Sequence, residues 1–204
     1  LGLRNLILVG EDWGGPIGAY CAANTPNNFV GLALMETFLW PMTWENDFSL
    51  KFRIAFKAMR GPLGFFLVQV MNIMIKVFIP QHCPISRESL DNYIDSCPSV
   101  ASRRAMREFP NLIPVAGKPV ESVKFFTDLQ EGLARADFPI VWFLADPGVF
   151  PTNDYPKSFL GFEKLKKKVP RLIVKDFGPG HHFLAEENPV RVTDLLSEWI
   201  QDIS

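Results

Sequence analysis

The sequence predicts an α/β protein, in which a mostly parallel sheet is built from two stretches of chain separated by a helical insertion. Three observations carry this reading. The apolar run from Leu6 to Val9 enters a glycine-flanked turn and then a helix-like segment from Pro16 to Asn24. Two further runs, VGLALME ending at Glu36 and PIVWFLAD ending at Asp146, are continuously apolar and bounded by turn residues, as strands buried on both faces are. Between them the chain is rich in Phe and Met at helical spacing. The expected organisation is therefore strand, helix and strand over residues 1–40, a helical cap over 41–134, and strand, helix, strand and helix over 135–204. WPMTWEND at Trp40 to Asp47 and ARADFP at Ala134 to Pro139 mark the breaks.

The first turn has the form Gly-x-Asp-x-Gly, with Gly10 and Gly14 on either side of Asp12. A strand that turns sharply into a helix needs small neighbours there, and the apex side chain then stands clear of the sheet. Asp12 is either a nucleophile at such an elbow or an Asp capping the helix that follows. As a nucleophile, a carboxylate is already ionised near neutral pH and can displace a leaving group from a saturated carbon, giving an alkyl ester. Hydrolysis of that ester calls for a general base, usually His, oriented by an acid.

In the insertion, the apolar run from Gly61 to Pro80 is interrupted by Gln69, Asn72 and Lys76. Its unbroken stretches fall short of the roughly 20 residues a membrane span requires. It reads as a cap helix whose wide apolar face, Phe65, Phe66, Val68, Met71, Met74 and Phe78, turns toward a pocket. The basic cluster from Lys164 to Arg171 reads as the solvated face of a short helix feeding the last strand.

The chain has three histidines. His82 lies between prolines in PQHCP and reads as a surface or supporting residue. His181 and His182 are adjacent in GPGHHFLAEENP, between the strand-like LIVKDF and a helix whose apolar face runs through Val190, Val192, Leu195, Leu196 and Trp199. A His at the carboxyl end of a parallel strand lies where ligands of α/β sheets bind. Glu36 and Asp146 each end a strand, and position does not separate them as the acid. The indole of Trp13 is a hydrogen-bond donor without acceptor character, although a core aromatic would look the same.

Four segments in register resemble the haloalkane dehalogenases of the α/β-hydrolase superfamily, in particular the subgroup whose acid follows the strand after the elbow. They are DWG at Asp12 to Gly14, MET at Met35 to Thr37 with Pro41 to Trp44 behind it, FPNLIPVAGKP at Phe109 to Pro119, and GPGHHFLAEENP. The resemblance implies an α/β-hydrolase fold with an inserted helical cap, and hydrolysis of small haloalkanes to alcohol and halide through an ester on Asp12. It further implies Trp13 as the halide-binding indole, Glu36 as the acid and His182 as the base. Asp146 is the alternative acid, matching a different subgroup. Phe109, Pro110, Phe65, Phe66 and Phe78 would shape the substrate pocket. No cofactor is implied, and the partners are an apolar halogenated substrate, water and halide.

Two departures stand out. Glu11 occupies the position before the nucleophile, where the family most often has His or Gln, and a close like charge would raise the Asp12 pKa. Family members also carry strands and a His-Gly-Asn-type loop ahead of the elbow, which these residues do not include. That loop would supply an Asn for the halide and part of the oxyanion hole, leaving the Trp13 backbone N–H. Epoxide hydrolysis needs two cap tyrosines, and Tyr93 is the one tyrosine in the cap. A luciferase-like cofactor-free oxygenase and a truncated, inactive homologue acting as a binding protein are the further alternatives.

Composition sets the surroundings. Of 204 residues, 48% are hydrophobic and 21% charged, with a formal net charge of −1, so nothing favours nucleic acid or an anionic surface. Cys21, Cys83 and Cys97 form no disulfide framework and argue for reduced thiols in a cytoplasmic setting. No Cys or His pair has a usable zinc-ligand spacing, so no metal is expected. No signal-peptide pattern or membrane segment is read.

Overall fold

A computed structural model describes residues 2–203. Four strands, β1 (Leu6–Asp12), β2 (Phe29–Thr37), β3 (Ile140–Pro147) and β4 (Leu172–Gly180), form one parallel sheet in the order β1-β2-β3-β4. The two-residue side-chain period sorts the central strands into two cores. Leu32, Leu34, Ile140 and Trp142 pack with α1 (Gly14–Asn24), α6 (Val120–Ala134) and α7 (Phe159–Lys168). Ala33, Met35, Val141 and Phe143 pack instead with the last helix, Pro189–Ile203, through Leu195 and Trp199. Full burial of Trp142 and Trp199, each on the order of 2–3 kcal/mol of apolar transfer, locks one helix layer to each face. β1 lies at a sheet edge, where Val9 is 47% exposed.

The residues between β2 and β3 are helical: α2 (Leu50–Arg60), a short α3 (Ile79–His82), α4 (Arg87–Ser96), α5 (Arg104–Leu112) and α6. Ser49 and Ser86 cap α2 and α4, their hydroxyl oxygens accepting the N–H groups of Phe52 and Ser89. Buried Arg103 donates to the Gln69 and Cys97 carbonyls at 2.7 and 2.9 Å, pinning the middle of the insertion together.

The long apolar run departs from its expected single helix. Phe65–Val70 and Met74–Phe78 form wide π-helical turns, and Asn72, at φ +58°, breaks the run between them. Wider turns rotate each residue away from the face a 3.6-residue period assigns to it. Val68 is buried and Phe78 turns inward, whereas Phe65 and Phe66 are 47% and 53% exposed. Strand β4 also runs on through Gly178 to Gly180, expected as loop, with a register shift opposite Leu144 and Ala145. All three cysteines are free thiols. Among the described residues no helix is long and apolar enough to cross a membrane.

Candidate active site

Strand β1 ends on Asp12 at φ +46°, and β2 nears its end on Glu36 at φ +41°. Left-handed backbone at non-glycine residues stores strain and marks positions that the surrounding structure holds in place. At Asp12 the hold is visible, because the Thr37 hydroxyl donates to the Asp12 carbonyl at 2.5 Å. Helix α1 can then start immediately because Gly10 and Gly15 lack side chains: a Cβ on Gly10 would lie 2.8 Å from the Gly15 Cα, and one on Gly15 would lie 2.0 Å from Thr37 Oγ1. A Cβ on Gly14 would meet nothing within 4 Å, so the close approach expected there falls one residue later.

His182 sits in the loop after β4, 5% exposed, with Nε2 3.7 Å from Asp12 Oδ1 and Nδ1 3.6 Å from Glu36 Oε2. Both separations are ion-pair contacts slightly longer than hydrogen bonds, as resting sites often show. Glu36 is 1% exposed, and its Oε2 accepts the Val149 and Phe150 N–H groups at 2.8 and 3.3 Å. Burial pushes its carboxyl up, while His182 and those two donors favour the anion. Burial opposes the His182 imidazolium, but Glu36, Asp12 and Glu11 outweigh it and raise the pKa. Enclosure likewise raises Asp12, against His182 and the Trp13 N–H. The Asp12 side chain is 44% accessible, and this surface opens into cavities at the two sides of the carboxylate.

One of these is an apolar cavity of about 200 Å³. Its floor is Asp12, Trp13 and His182, and its walls come from Phe52, Phe56 and Met59 of α2, Met74 and Phe78 of the π-helical run, Met106, Phe109 and Pro110 of α5, and Ile113 and Phe150. Trp13 stands edge-on to Phe38 and tilted against Phe109, both at 5.3 Å between centroids. Asp12, Trp13, Glu36, His182, Phe78, Phe109 and Pro110 are thus brought together. Phe65 and Phe66 are not: they lie on the outer surface, where Arg107 covers the Phe65 ring. Asp146 is exposed and accepts from Asn153 Nδ2 at 2.8 Å, and the carboxylate facing His182 is that of Glu36. Tyr93 is not in the lining of the apolar cavity; it lines the cavity on the other side of Asp12 and donates to Glu186 at 2.9 Å.

Glu187 holds the His loop and carries no sequence signal that distinguishes it from Glu186. Its carboxylate accepts the N–H groups of His181 at 2.9 Å and of His182 and Phe183 at 3.0 Å. Glu11 turns to the Leu184 N–H at 3.2 Å. Burial raises its pKa from 4.5 to about 7, opposed by His182 and the Leu184 N–H. A carboxyl that binds its proton more tightly folded than unfolded contributes its full stability below about pH 4.5 and loses it as pH rises through 7. The loss is about 2 kcal/mol after allowance for partial exposure. Urea unfolding should therefore show the chain weaker at about pH 8 than at about pH 5, and Glu11→Gln should flatten that slope; equal slopes in both chains would show that Glu11 is not so shifted.

Comparison with known proteins agrees with this architecture. A family model described as alpha/beta hydrolase fold matches residues 1–78. The chain is 26% identical over an alignment of 208 positions to a haloalkane dehalogenase of Mesorhizobium japonicum, covering all of this chain and 65% of that protein. It is 29% identical over 199 to one of Mycolicibacterium smegmatis, covering 96% and 61%. Among solved structures, the haloalkane dehalogenase DatA of Agrobacterium tumefaciens superimposes with a TM-score of 0.88 at 27% identity, over 99% of this chain and 68% of that one. DbeA of Bradyrhizobium elkani gives 0.85 at 25%, over 96% and 66%. The fold is that of an α/β-hydrolase. In sequence and in fold the chain is similar to haloalkane dehalogenases, and it spans less than two thirds of the length of these two curated proteins.

Proposed function

We propose that the chain carries the reaction centre of a hydrolytic haloalkane dehalogenase. The observation that supports this most directly is the carboxylate of Asp12 on the floor of an apolar cavity, with an indole beside it and His182 between it and Glu36. Within residues 41–134, the segments up to Ile113 act as the cap that supplies most of the cavity wall, while α6 packs beside α1 over the sheet and belongs with the core. A haloalkane seated there presents its halogen-bearing carbon to Asp12. An Asp12 oxygen forms the new C–O bond as the carbon–halogen bond breaks, and the halide leaves beside the Trp13 indole N–H.

Ester formation then changes His182. Asp12 loses its charge, one of the two nearest anions that raise the imidazole pKa is gone, and the ring is released toward its neutral, basic form. Neutral His182, oriented through Nδ1 by Glu36, takes a proton from water as the water oxygen attacks the ester carbonyl. The Trp13 N–H sits at the elbow where oxyanion charge develops. Collapse returns the Asp12 carboxylate and releases the alcohol, the proton leaving through His182. An epoxide reading would need tyrosines in the apolar cavity, and its lining holds none.

This chemistry has an isotopic signature. In a single turnover of 1-bromobutane with the chain in excess, in water enriched in heavy oxygen, the first alcohol should carry ordinary oxygen from Asp12. Label in that first alcohol would mean that water attacks the substrate directly, and the ester mechanism would be wrong.

A further inference from the structure

The net charge of −1, which by itself favours no anionic surface, is unevenly spread. From Phe48 to Arg87 the chain has six Lys or Arg residues and no Asp or Glu, so all 22 acids lie outside this stretch of the cap. The same stretch exposes large apolar side chains, with Leu50 at 71%, Ile54 at 64% and Val77 at 45%. Exposed apolar groups set among cations, with no acid between them in the chain, are the pattern of a surface that lies on anionic lipid.

The fold gathers these groups on one side of the cap. Lys51, Ile54, Ala55 and Ala58 recur on α2 at the spacing of a single helix face. Ala55 and Ala58 line an open groove of about 260 Å³, which Ile73 and Val77 line as well. No Asp, Glu, Lys or Arg is in its lining. Lys51 and Lys76, both exposed, stand beside it, the first on the helix face of Ala55 and the second next to Val77 in the chain. Neither lysine forms a salt bridge among the described residues. Helix α4, which carries Glu88, Asp91 and Asp95, packs through Leu90 and Ile94 on Ile75 and Ile79. Two positions along a helical run are about half a turn, so that acidic helix lies on the opposite side of the run from Val77. Phe52, Met59, Met74 and Phe78 line both the groove and the apolar reaction cavity, which places the groove directly outside the cavity wall.

We propose that this face of the cap docks on an anionic lipid bilayer, with Leu50, Ile54 and Val77 at the acyl boundary and Lys51 and Lys76 against the lipid phosphates. Such a bilayer offers both chemistries the face can use, an apolar phase and fixed negative charge, in adjoining layers. The contact is peripheral, since among the described residues no helix is long and apolar enough to cross a membrane. Docking itself needs nothing from the dehalogenation reading, but its use rests on that reading. Haloalkanes dissolve in lipid, and docking sets the wall of the reaction cavity against that store.

The test is co-sedimentation of the chain with vesicles, either of phosphatidylcholine alone or of equal parts phosphatidylcholine and phosphatidylglycerol. The chain should sediment with the anionic vesicles and stay in solution with the neutral ones. Salt raised toward 1 M, where the screening length is about 3 Å, should release it. Lys51→Gln with Lys76→Gln should weaken binding by roughly 20- to 30-fold, as two lysines at an anionic surface contribute. Ile54→Ser with Val77→Ser should weaken it comparably. Lys164→Gln with Lys167→Gln, which removes the same charge from exposed positions on α7, should leave it unchanged. All six side chains are exposed in whole or large part, so the variants should unfold in urea at the parental midpoint. No binding to anionic vesicles, or binding weakened equally by the α7 pair, overturns the proposal. Dimerisation of the chain without lipid, lost in Ile54→Ser with Val77→Ser, would mean that a second copy covers the face, and overturns it too. Failure of 1-bromohexane to release bromide, with vesicle binding intact, overturns the dehalogenation reading and leaves the docking face standing.

Discussion

Asp12→Asn is expected to abolish bromide release from 1-bromobutane, and His182→Ala to release one bromide per chain and then stop. The two outcomes differ because the reaction divides between the two side chains. Carbon–halogen cleavage needs the ionised Asp12 oxygen, and an amide in its place is too weak a nucleophile to displace halide. Hydrolysis needs a base near the ester, and His182 Nε2, 3.7 Å from Asp12 Oδ1, is the ring nitrogen placed for it. Without that ring the ester persists, since direct attack by water lacks general-base assistance typically worth 10²–10⁴-fold. Intact mass should rise by one butyl group on the His182→Ala chain, and peptide mapping should place it on Asp12. Steady bromide release from Asp12→Asn, or continued turnover by His182→Ala at the parental rate, would remove the basis for the proposed mechanism.

The positions of these two residues were legible because their constraints are local. A nucleophile at a strand-to-helix turn requires glycines within a few residues, and a loop His after an apolar strand leaves a Gly-Pro-Gly signature. The acid is less legible, because Glu36 and Asp146 both end strands. What separates them is tertiary: Glu36 turns inward on left-handed backbone to meet His182, whereas Asp146 turns outward to Asn153. Similarly, the space that excludes a side chain at Gly15 is set by Thr37, twenty-two positions away on the neighbouring strand.

The insertion shows where periodicity misleads. Assigning Phe65, Phe66 and Phe78 to one face assumes that every turn between them is an α turn. Two π-helical stretches and the reversal at Asn72 intervene, so Phe78 reaches the cavity and the earlier pair reaches solvent. Gln69, one of the polar residues that interrupt this run, is structural in turn: it donates from its side chain to the Val100 carbonyl and accepts from Arg103 through its backbone. Glu187 is illegible in the sequence for another reason. Two adjacent glutamates are chemically identical, and one residue of rotation decides that Glu187 braces the His loop while Glu186 takes the Tyr93 hydroxyl.

Glu36 joins fold and chemistry, and its two simplest substitutions should pull them apart. In Glu36→Ala the Val149 and Phe150 N–H groups lose their acceptor inside the protein, at about 1–3 kcal/mol for a buried unsatisfied group, partly offset by no longer burying a charge. The variant should be destabilised by roughly 2–4 kcal/mol in urea unfolding. Glu36→Gln keeps a carbonyl where Oε2 lies and should remain within about 1 kcal/mol of the parent. Catalysis should fail in both. Without the carboxylate, the His182 ring loses the charge that steadies its protonated form and fixes Nδ1–H toward Glu36, an effect on the order of 10⁴-fold where a triad acid is replaced by its amide. Ester should accumulate on Asp12, and NMR should find the His182 pKa lowered. Asp146→Asn, exposed and remote in its contacts, should turn over like the parent. Full turnover in a stable Glu36→Gln chain, or its loss in Asp146→Asn, would move the acid from the end of β2 to the end of β3.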